Sequence, residues 1–194
     1  MKPRTMVCGF GINDSTEPSC IKLPNGRYKA IAPYTVWADM IARCYSKKAL
    51  ARWPQNIGSS VAEEWRSLKT FSNWYDDQEA EKGWILTKSI VYPDAKVYSP
   101  DTCLMAPKIF SAFFNQGRNR KSCGKIGARK IEVNGRHQVQ IKNTIANKSE
   151  HLGCFDTNEE AHEAYKNRKR EIALELAAIA PNKKIADAII ARYK

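Results

Sequence analysis

A chain of 194 residues with 32 Lys+Arg against 20 Asp+Glu has a formal net charge of +12 and a pI near 9.5, and its length fits one or two small domains, too few for a large multidomain enzyme. Its 43% hydrophobic and 10% aromatic content excludes wholesale disorder, and no apolar run reaches the ~18–20 residues of a membrane span. The opening Met1-Lys2-Pro3-Arg4-Thr5-Met6-Val7 lacks the apolar stretch of a secretory signal, so a soluble, cytoplasmic chain with no membrane partner is expected.

Residues 1–33 hold Gly9, Gly11 and Asn25-Gly26 among scattered prolines, a loop-rich start with room for a short hairpin. From Pro33 the spacing of Tyr34, Trp37, Met40, Ile41, Cys44 and Tyr45 is helical, and Pro33 suits a first turn. Lys47 to Gly58 reads as a loop around Trp53-Pro54. Val61, Trp65, Leu68, Phe71 and Trp74-Tyr75 predict a second helix over about 62–80, ended by Gly83-Trp84. Ile85-Leu86 and Ile90-Val91 read as short strands, Pro93-Asp94 as a turn, 96–98 as a strand and 107–115 as a short helix. Trp37, Trp65 and Trp74 are expected in the core.

Residues 116–127, with three glycines and several cations, read as a basic linker, so the expected domains are 1–115 and 128–194. Across 116–150 nine basic residues face two acidic ones, Glu132 and Glu150. That density attracts polyanions, of which nucleic acid is the natural one for this class of chain. Two strand-like runs, 129–132 and 136–142, flank Val133-Asn134-Gly135. A two-residue Asn-Gly turn would pair Ile131 with Gln138; a three-residue loop with Gly135 left-handed pairs Ile131 with His137 instead, and is preferred because it puts Ile131, His137, Val139 and Ile141 on one face. Lys130, Glu132, Arg136, Gln138, Gln140 and Lys142 then fall on the other. A third strand, 151–155, follows. Thr157 and Glu160 have capping-box spacing, so a helix should start at Thr157. Its expected buried stripe is Ala161, Ala164, Tyr165, Ile172, Leu176 and Ile179, with Lys166, Arg168, Lys169 and Arg170 exposed. Pro181 ends it, and Asn182 caps a last helix with Ile185, Ile189 and Ile190. The scattered cysteines (Cys8, Cys20, Cys44, Cys103, Cys123, Cys154) form no C-x-x-C pair or zinc template, so free thiols are expected.

Several pieces, taken in order, resemble the bacteriophage HNH homing endonucleases that carry a C-terminal AP2-type DNA-binding domain. They are Gly11-Ile12-Asn13-Asp14; Tyr34-x-x-Trp37-x-x-Met40-x-x-Arg43-Cys44-Tyr45; Ile57-Gly58-x-Ser60-Val61-x-Glu63-Glu64-Trp65; Val97-Tyr98-Ser99-Pro100-x-Thr102-Cys103; and His151-Leu152-Gly153-x-Phe155 with Glu160-Ala161-His162-x-Ala164-Tyr165. The resemblance implies an α+β fold: a degenerate HNH (His-Me finger-like) domain, then an AP2-like three-stranded antiparallel sheet packed on a helix, its outer face turned to the major groove.

The departures from that family concern its chemistry. Its nuclease stretch, roughly Leu-Asp-Lys-Asp followed by Gly-Asn, supplies ligands for a divalent metal that is held against the scissile phosphate. Here the run is Leu86-Thr87-Lys88-Ser89, then Pro93-Asp94-Ala95, and a later family asparagine falls at Ser111. Hydroxyls are poor magnesium ligands beside carboxylates, and Ala95 offers none. The three histidines all lie beyond residue 136, so none stands where a His-metal-finger base belongs, and His137 is expected as a packed core residue. Asp94 and Asp101 are expected to cap turns. No catalytic residue, metal or cofactor is therefore expected.

The leading expectation is a nuclease-inactive, sequence-specific binder of double-stranded DNA that acts as a transcriptional repressor, nucleoid-associated in a host bacterial cell and carried by a phage or other mobile element. One alternative is an active metal-dependent HNH homing endonuclease or nickase; another is a protein-interaction module on the old scaffold. The DNA-binding candidates are Arg118, Arg120, Lys121, Lys125, Arg129 and Lys130 on phosphates. Arg136, Gln138, Gln140 and Lys142 are candidates at base edges, since Arg suits guanine and Gln suits adenine. A palindromic site would call for a homodimer, an asymmetric one only a monomer.

Overall fold

The computed structural model describes residues 6–114, 128–130 and 135–193. Both units into which the chain divides, Met1–Pro107 and Lys108–Lys194, mix helices with small sheets. No helix among the described residues is long and apolar enough to cross a membrane.

In the first unit, β1 (Cys20–Lys22) and β2 (Tyr28–Ala30) form a hairpin. Helix α1 (Ala32–Tyr45) follows with proline in its first turn, and Trp37, Met40, Ile41 and Cys44 form its buried stripe. They pack against Trp65, Leu68 and Phe71, with Leu86, Tyr98 and Met105 completing the core. The Trp37 indole N–H donates to the Trp65 carbonyl at 2.7 Å, and Trp74 packs on the edge of this cluster. Gly11 fits because a Cβ there would collide with Ile41 Cδ1 and sit 2.7 Å from Trp37 Cζ2.

Four expectations change in this unit. Residues 47–58 are not a plain loop: Ser46 accepts from the Ala49 N–H and starts helix α2 (Lys47–Arg52), made of good helix formers, and a 3₁₀ turn at Pro54–Asn56 follows. The single helix over 62–80 is instead β3 (Ser60–Val61), a 3₁₀ turn (Glu63–Arg66) and α3 (Leu68–Asp77). Ser67 divides them, since its hydroxyl accepts from the Thr70 N–H while Asp14 takes the Ser67 hydroxyl and the Lys69 N–H. Ile90-Val91 lies in a turn closed by Tyr92 N–H on the Lys88 carbonyl, with Ile90 buried by it. Finally, β4 (Trp84–Thr87) pairs antiparallel with an unexpected strand, β6 (Leu104–Pro107), whose buried residues lack the polar alternation that marks a half-exposed strand. Between them β5 (Val97–Tyr98) runs parallel to β3.

The second unit begins with α4 (Lys108–Phe114), so the division falls before the expected boundary at 115. The reason is packing: the Phe113 and Phe114 rings lie 5.4 and 6.3 Å from that of Tyr193. Strands β7 (Ala128–Lys130), β8 (His137–Asn143) and β9 (Lys148–Phe155) form an antiparallel sheet in that order. Helix α5 (Asn158–Ala178) packs on it and on α6 (Lys183–Tyr193). Thr157 and Glu160 make the capping box, and Asn182 caps the last helix through the Ile185 N–H at 3.0 Å. The basic linker 116–127, with Cys123, lies outside the described residues, where the other cysteines are free.

The surface assigned to α5 needs revision. Lys169 is buried, its ammonium donating to the Phe113 carbonyl at 2.8 Å. Arg168 is half-buried and grips Glu150 with two donors, at 2.6 and 3.0 Å. Ile179 is exposed, because α5 ends at Ala178 and the stripe stops with it.

Candidate nucleic-acid interface

The sheet of the second unit sorts its side chains by register. Lys130 pairs with His137 and Arg129 with Gln138, so the expected pairing of Ile131 with His137 is displaced by one residue. Arg136 stands outside the ladder, its Nε on Asp156 Oδ1 at 2.9 Å and its Nη2 on the Cys154 carbonyl at 2.8 Å. That clasp ties Arg136 to the end of β9, and Gly135 beside it keeps the left-handed conformation expected of it (φ 69°).

Along β8, Val139, Ile141 and Asn143 are buried while Gln140 and Lys142 are exposed. His137 is half-buried on the inner side, with no partner for its Nδ1 among the described residues. Across to β9 the ladder slips: Val139 faces Gly153 but Gln140 faces His151, which leaves Leu152 extra. Gly153, at φ 121°, takes the backbone that such a bulge needs. A straight ladder would set Leu152 beside Gln140 and Glu150 beside Lys142. The bulge sets His151 and Ser149 there and turns Glu150 inward, opposite Ile141.

Among the described residues the outer face therefore carries Arg129, Gln138, Gln140, Lys142, Ser149 and His151 and no carboxylate; Ile131 and Glu132, expected on the inner and outer faces, lie outside the described residues. The sheet's acid, Glu150, accepts from Arg168 and from Asn143 Nδ2 (2.7 Å). Those hydrogen bonds, Arg168 first, hold its carboxyl below the ordinary carboxylate range. Arg168 in turn reaches Glu171 at 2.8 Å and Glu175 at 3.0 Å. Arg168 thus holds Glu150 on the inner side together with two exposed acids of its own helix, and the outward face carries cations and amides that both donate and accept.

Of the ten sequence-derived DNA-binding candidates, Gln138, Gln140, Lys142 and Arg129 come together here. Lys130 is placed in the ladder opposite His137, and Arg136 is engaged at the sheet's edge. Arg118, Arg120, Lys121 and Lys125 lie outside the described residues. His151 and Ser149 were missed, and the one available sign was Gly153 inside a strand-like run.

The nuclease-like stretch sits in the first unit. Thr87 ends β4, buried, with its hydroxyl 3.4 Å from that of Ser89. Between them Lys88 lies half-buried, its ammonium 3.4 Å from Ser59 Oγ and 4.3 Å from the centre of the Tyr98 ring. Burial pushes this lysine below its ordinary pKa, and Lys96 pushes the same way. Nearby, burial raises Tyr98 and takes the Cys44 thiol up to about 11, so neither supplies an anion near neutral pH. Ala95 has no ligand atom, and Ser111 is on α4 in the other unit. Asp94 and Asp101 are exposed and cap nothing among the described residues; Ser99 and Thr102 close that turn themselves, Thr102 Oγ1 donating to the Val97 carbonyl at 2.8 Å. No three His, Cys, Asp or Glu side chains among the described residues form a metal-ligand set. Hydroxyls around an ammonium do not fit a divalent cation.

Comparison with protein-family models, with curated proteins and with solved structures gives no match for this chain.

Proposed function

We propose that this chain is a sequence-specific binder of double-stranded DNA, descended from a phage HNH homing endonuclease with an AP2-type domain, that has kept recognition and lost cleavage. The observation that carries the reading is the outer face of the β7–β8–β9 sheet. Arg129, Gln138, Gln140 and Lys142 share one surface, with no carboxylate on it among the described residues, on a chain with formal charge +12. Glutamine pairs bidentately with adenine and arginine with guanine in the major groove, while lysine and serine reach phosphates or base edges. Arg136 holds the end of β9 and acts as a positioning residue.

Loss of cleavage is supported by the donor set at the nuclease-like stretch. Thr87, Ser89 and Ala95 replace the family's carboxylates and amide, which leaves no anionic ligand at these positions for the cation that the family's chemistry needs. A protein that holds a long site without cutting it obstructs whatever process uses that DNA, which is the action of a transcriptional repressor.

The test is genome-wide mapping of bound DNA in the host, followed by incubation of a recovered fragment with the protein and Mg²⁺. Fragments that share one motif and stay intact are expected. Unenriched DNA would sink the recognition, and nicks that vanish with EDTA would sink the inactivity.

A further inference from the structure

The hairpin of the first unit has no role in the reading above. Its turn is Pro24-Asn25-Gly26, with Gly26 left-handed at φ 78° and the Gly26 N–H on the Leu23 carbonyl at 2.9 Å. Ser19 and Ile31 close its base through a 3.0 Å backbone bond. All six strand residues are exposed, Ile21 at 53% and Tyr28 at 70%. A two-stranded hairpin with neither face covered is marginal by itself in water, so this one is built to be covered by something else.

The register says what kind of surface covers it. Lys22 pairs with Tyr28 on one face and Ile21 with Lys29 on the other, with Arg27 at the turn. Each face therefore holds one cation, Lys22 beside Tyr28, Cys20 and Ala30 on the first and Lys29 beside Ile21 on the second, and none of the three cationic head groups has a partner among the described residues. From Pro18 through Ala38 the chain has no carboxylate. A contact with one protein surface would gather the apolar residues on one side. Cations on both sides and at the tip match a channel with a row of phosphates along each wall.

We propose that this hairpin is a DNA-binding arm that enters the major groove, with Lys22 and Lys29 directed to opposite phosphate backbones and Arg27 leading. The inference rests on the DNA-binding reading above. The dimensions fit: two strands ~4.8 Å apart make a ribbon that a groove ~12 Å wide admits, and three residues at ~3.4 Å each plus the turn exceed a depth of ~8.5 Å. Tyr28 and Ile21 then lie against the groove, where apolar contact with thymine methyl groups is available.

The test uses the full chain carrying Lys22→Ala, Arg27→Ala and Lys29→Ala together, titrated against a fluorescent mixed-sequence duplex at several salt concentrations. With two phosphate contacts and the leading cation removed, the slope of log K against log salt should flatten by about 2 units. A hydroxyl-radical footprint on mapped DNA should also lose one protected patch. Unchanged tryptophan fluorescence and melting will show that the fold is intact, since these side chains are exposed. A wild-type chain that fails to bind duplex DNA overturns the functional reading and the arm with it. A wild-type chain that binds while the triple variant keeps its slope and footprint overturns the arm alone. So does a variant that keeps DNA binding but loses a concentration-dependent self-association, because the hairpin is then a contact between copies.

Discussion

Replacing Lys169 with Met measures what a buried ammonium does to the second unit. The side chain is 7% exposed, its ammonium lies 3.5 Å from the centre of the Phe113 ring, and burial lowers its pKa from 10.5 to about 7. Between those values the unfolded chain binds a proton that the folded chain has released, so stability rises with pH by up to about 1.4 kcal/mol per unit. The Cys44 thiol, raised to about 11 by burial, works in the opposite sense, its contribution being lost as pH climbs above ~8.5. Tyr75, Tyr98 and Tyr193, also raised by burial, follow above ~10. The clean window is therefore roughly pH 7 to 8.5, where the full slope gives about 2 kcal/mol. The Phe113 carbonyl and ring both favour the charged lysine, which reduces the expected gain to about 1–2 kcal/mol. Met has similar length and no charge, so Lys169→Met should lose this gain and be at least as stable as wild type at pH 7. Urea unfolding followed by circular dichroism at both pH values reads the effect. All five tryptophans lie within Met1–Pro107, so tryptophan fluorescence provides the control, and its pH dependence should be the same in both proteins. Parallel shifts of the wild-type and Lys169→Met dichroism curves would refute the reasoning.

Gly11→Ala should destabilise the first unit by about 1–3 kcal/mol, because its Cβ lands against Ile41 and Trp37 in a filled core; tryptophan-monitored denaturation will show it. Arg168→Met should cost the second unit about 2–4 kcal/mol at pH 7 by leaving Glu150 half-buried without its bidentate partner. Glu150 is lowered in the fold, so its stabilisation is present above ~4.5 and is lost as pH falls; acid unfolding curves of Arg168→Met should lack that part of the slope. Gln140→Ala should cost about 1–3 kcal/mol on the mapped site and little on random DNA, and equal losses on both would remove it from the base-reading set.

Much of the local structure was legible in the sequence because its causes are local. The stripe of Trp37, Met40, Ile41 and Cys44 needs only the helical period, the Thr157–Glu160 capping box only three residues of spacing, and the inner Val139 and Ile141 only the pleat. The hydroxyls and alanine at Thr87, Ser89 and Ala95 were equally plain, since ligand chemistry is a property of the side chain. Other features depended on residues far apart in the chain. Lys169 looked like a solvent residue until Phe113, 56 positions earlier, supplied a carbonyl and a ring to hold it. The division after Pro107 followed from where Phe113 and Phe114 found their aromatic partner, Tyr193. Strand β6 exists because β4 pairs with it across an intervening loop. The candidate interface shows the contrast within a few residues. Alternation along β8 placed Gln140 and Lys142 outside, but whether an acid or an imidazole stood next to them rested on one extra residue at Leu152-Gly153. A slip of one residue reverses every side chain of β9 that precedes the bulge, and the inward half of that choice is secured by Arg168, reaching Glu150 from a helix 18 positions on.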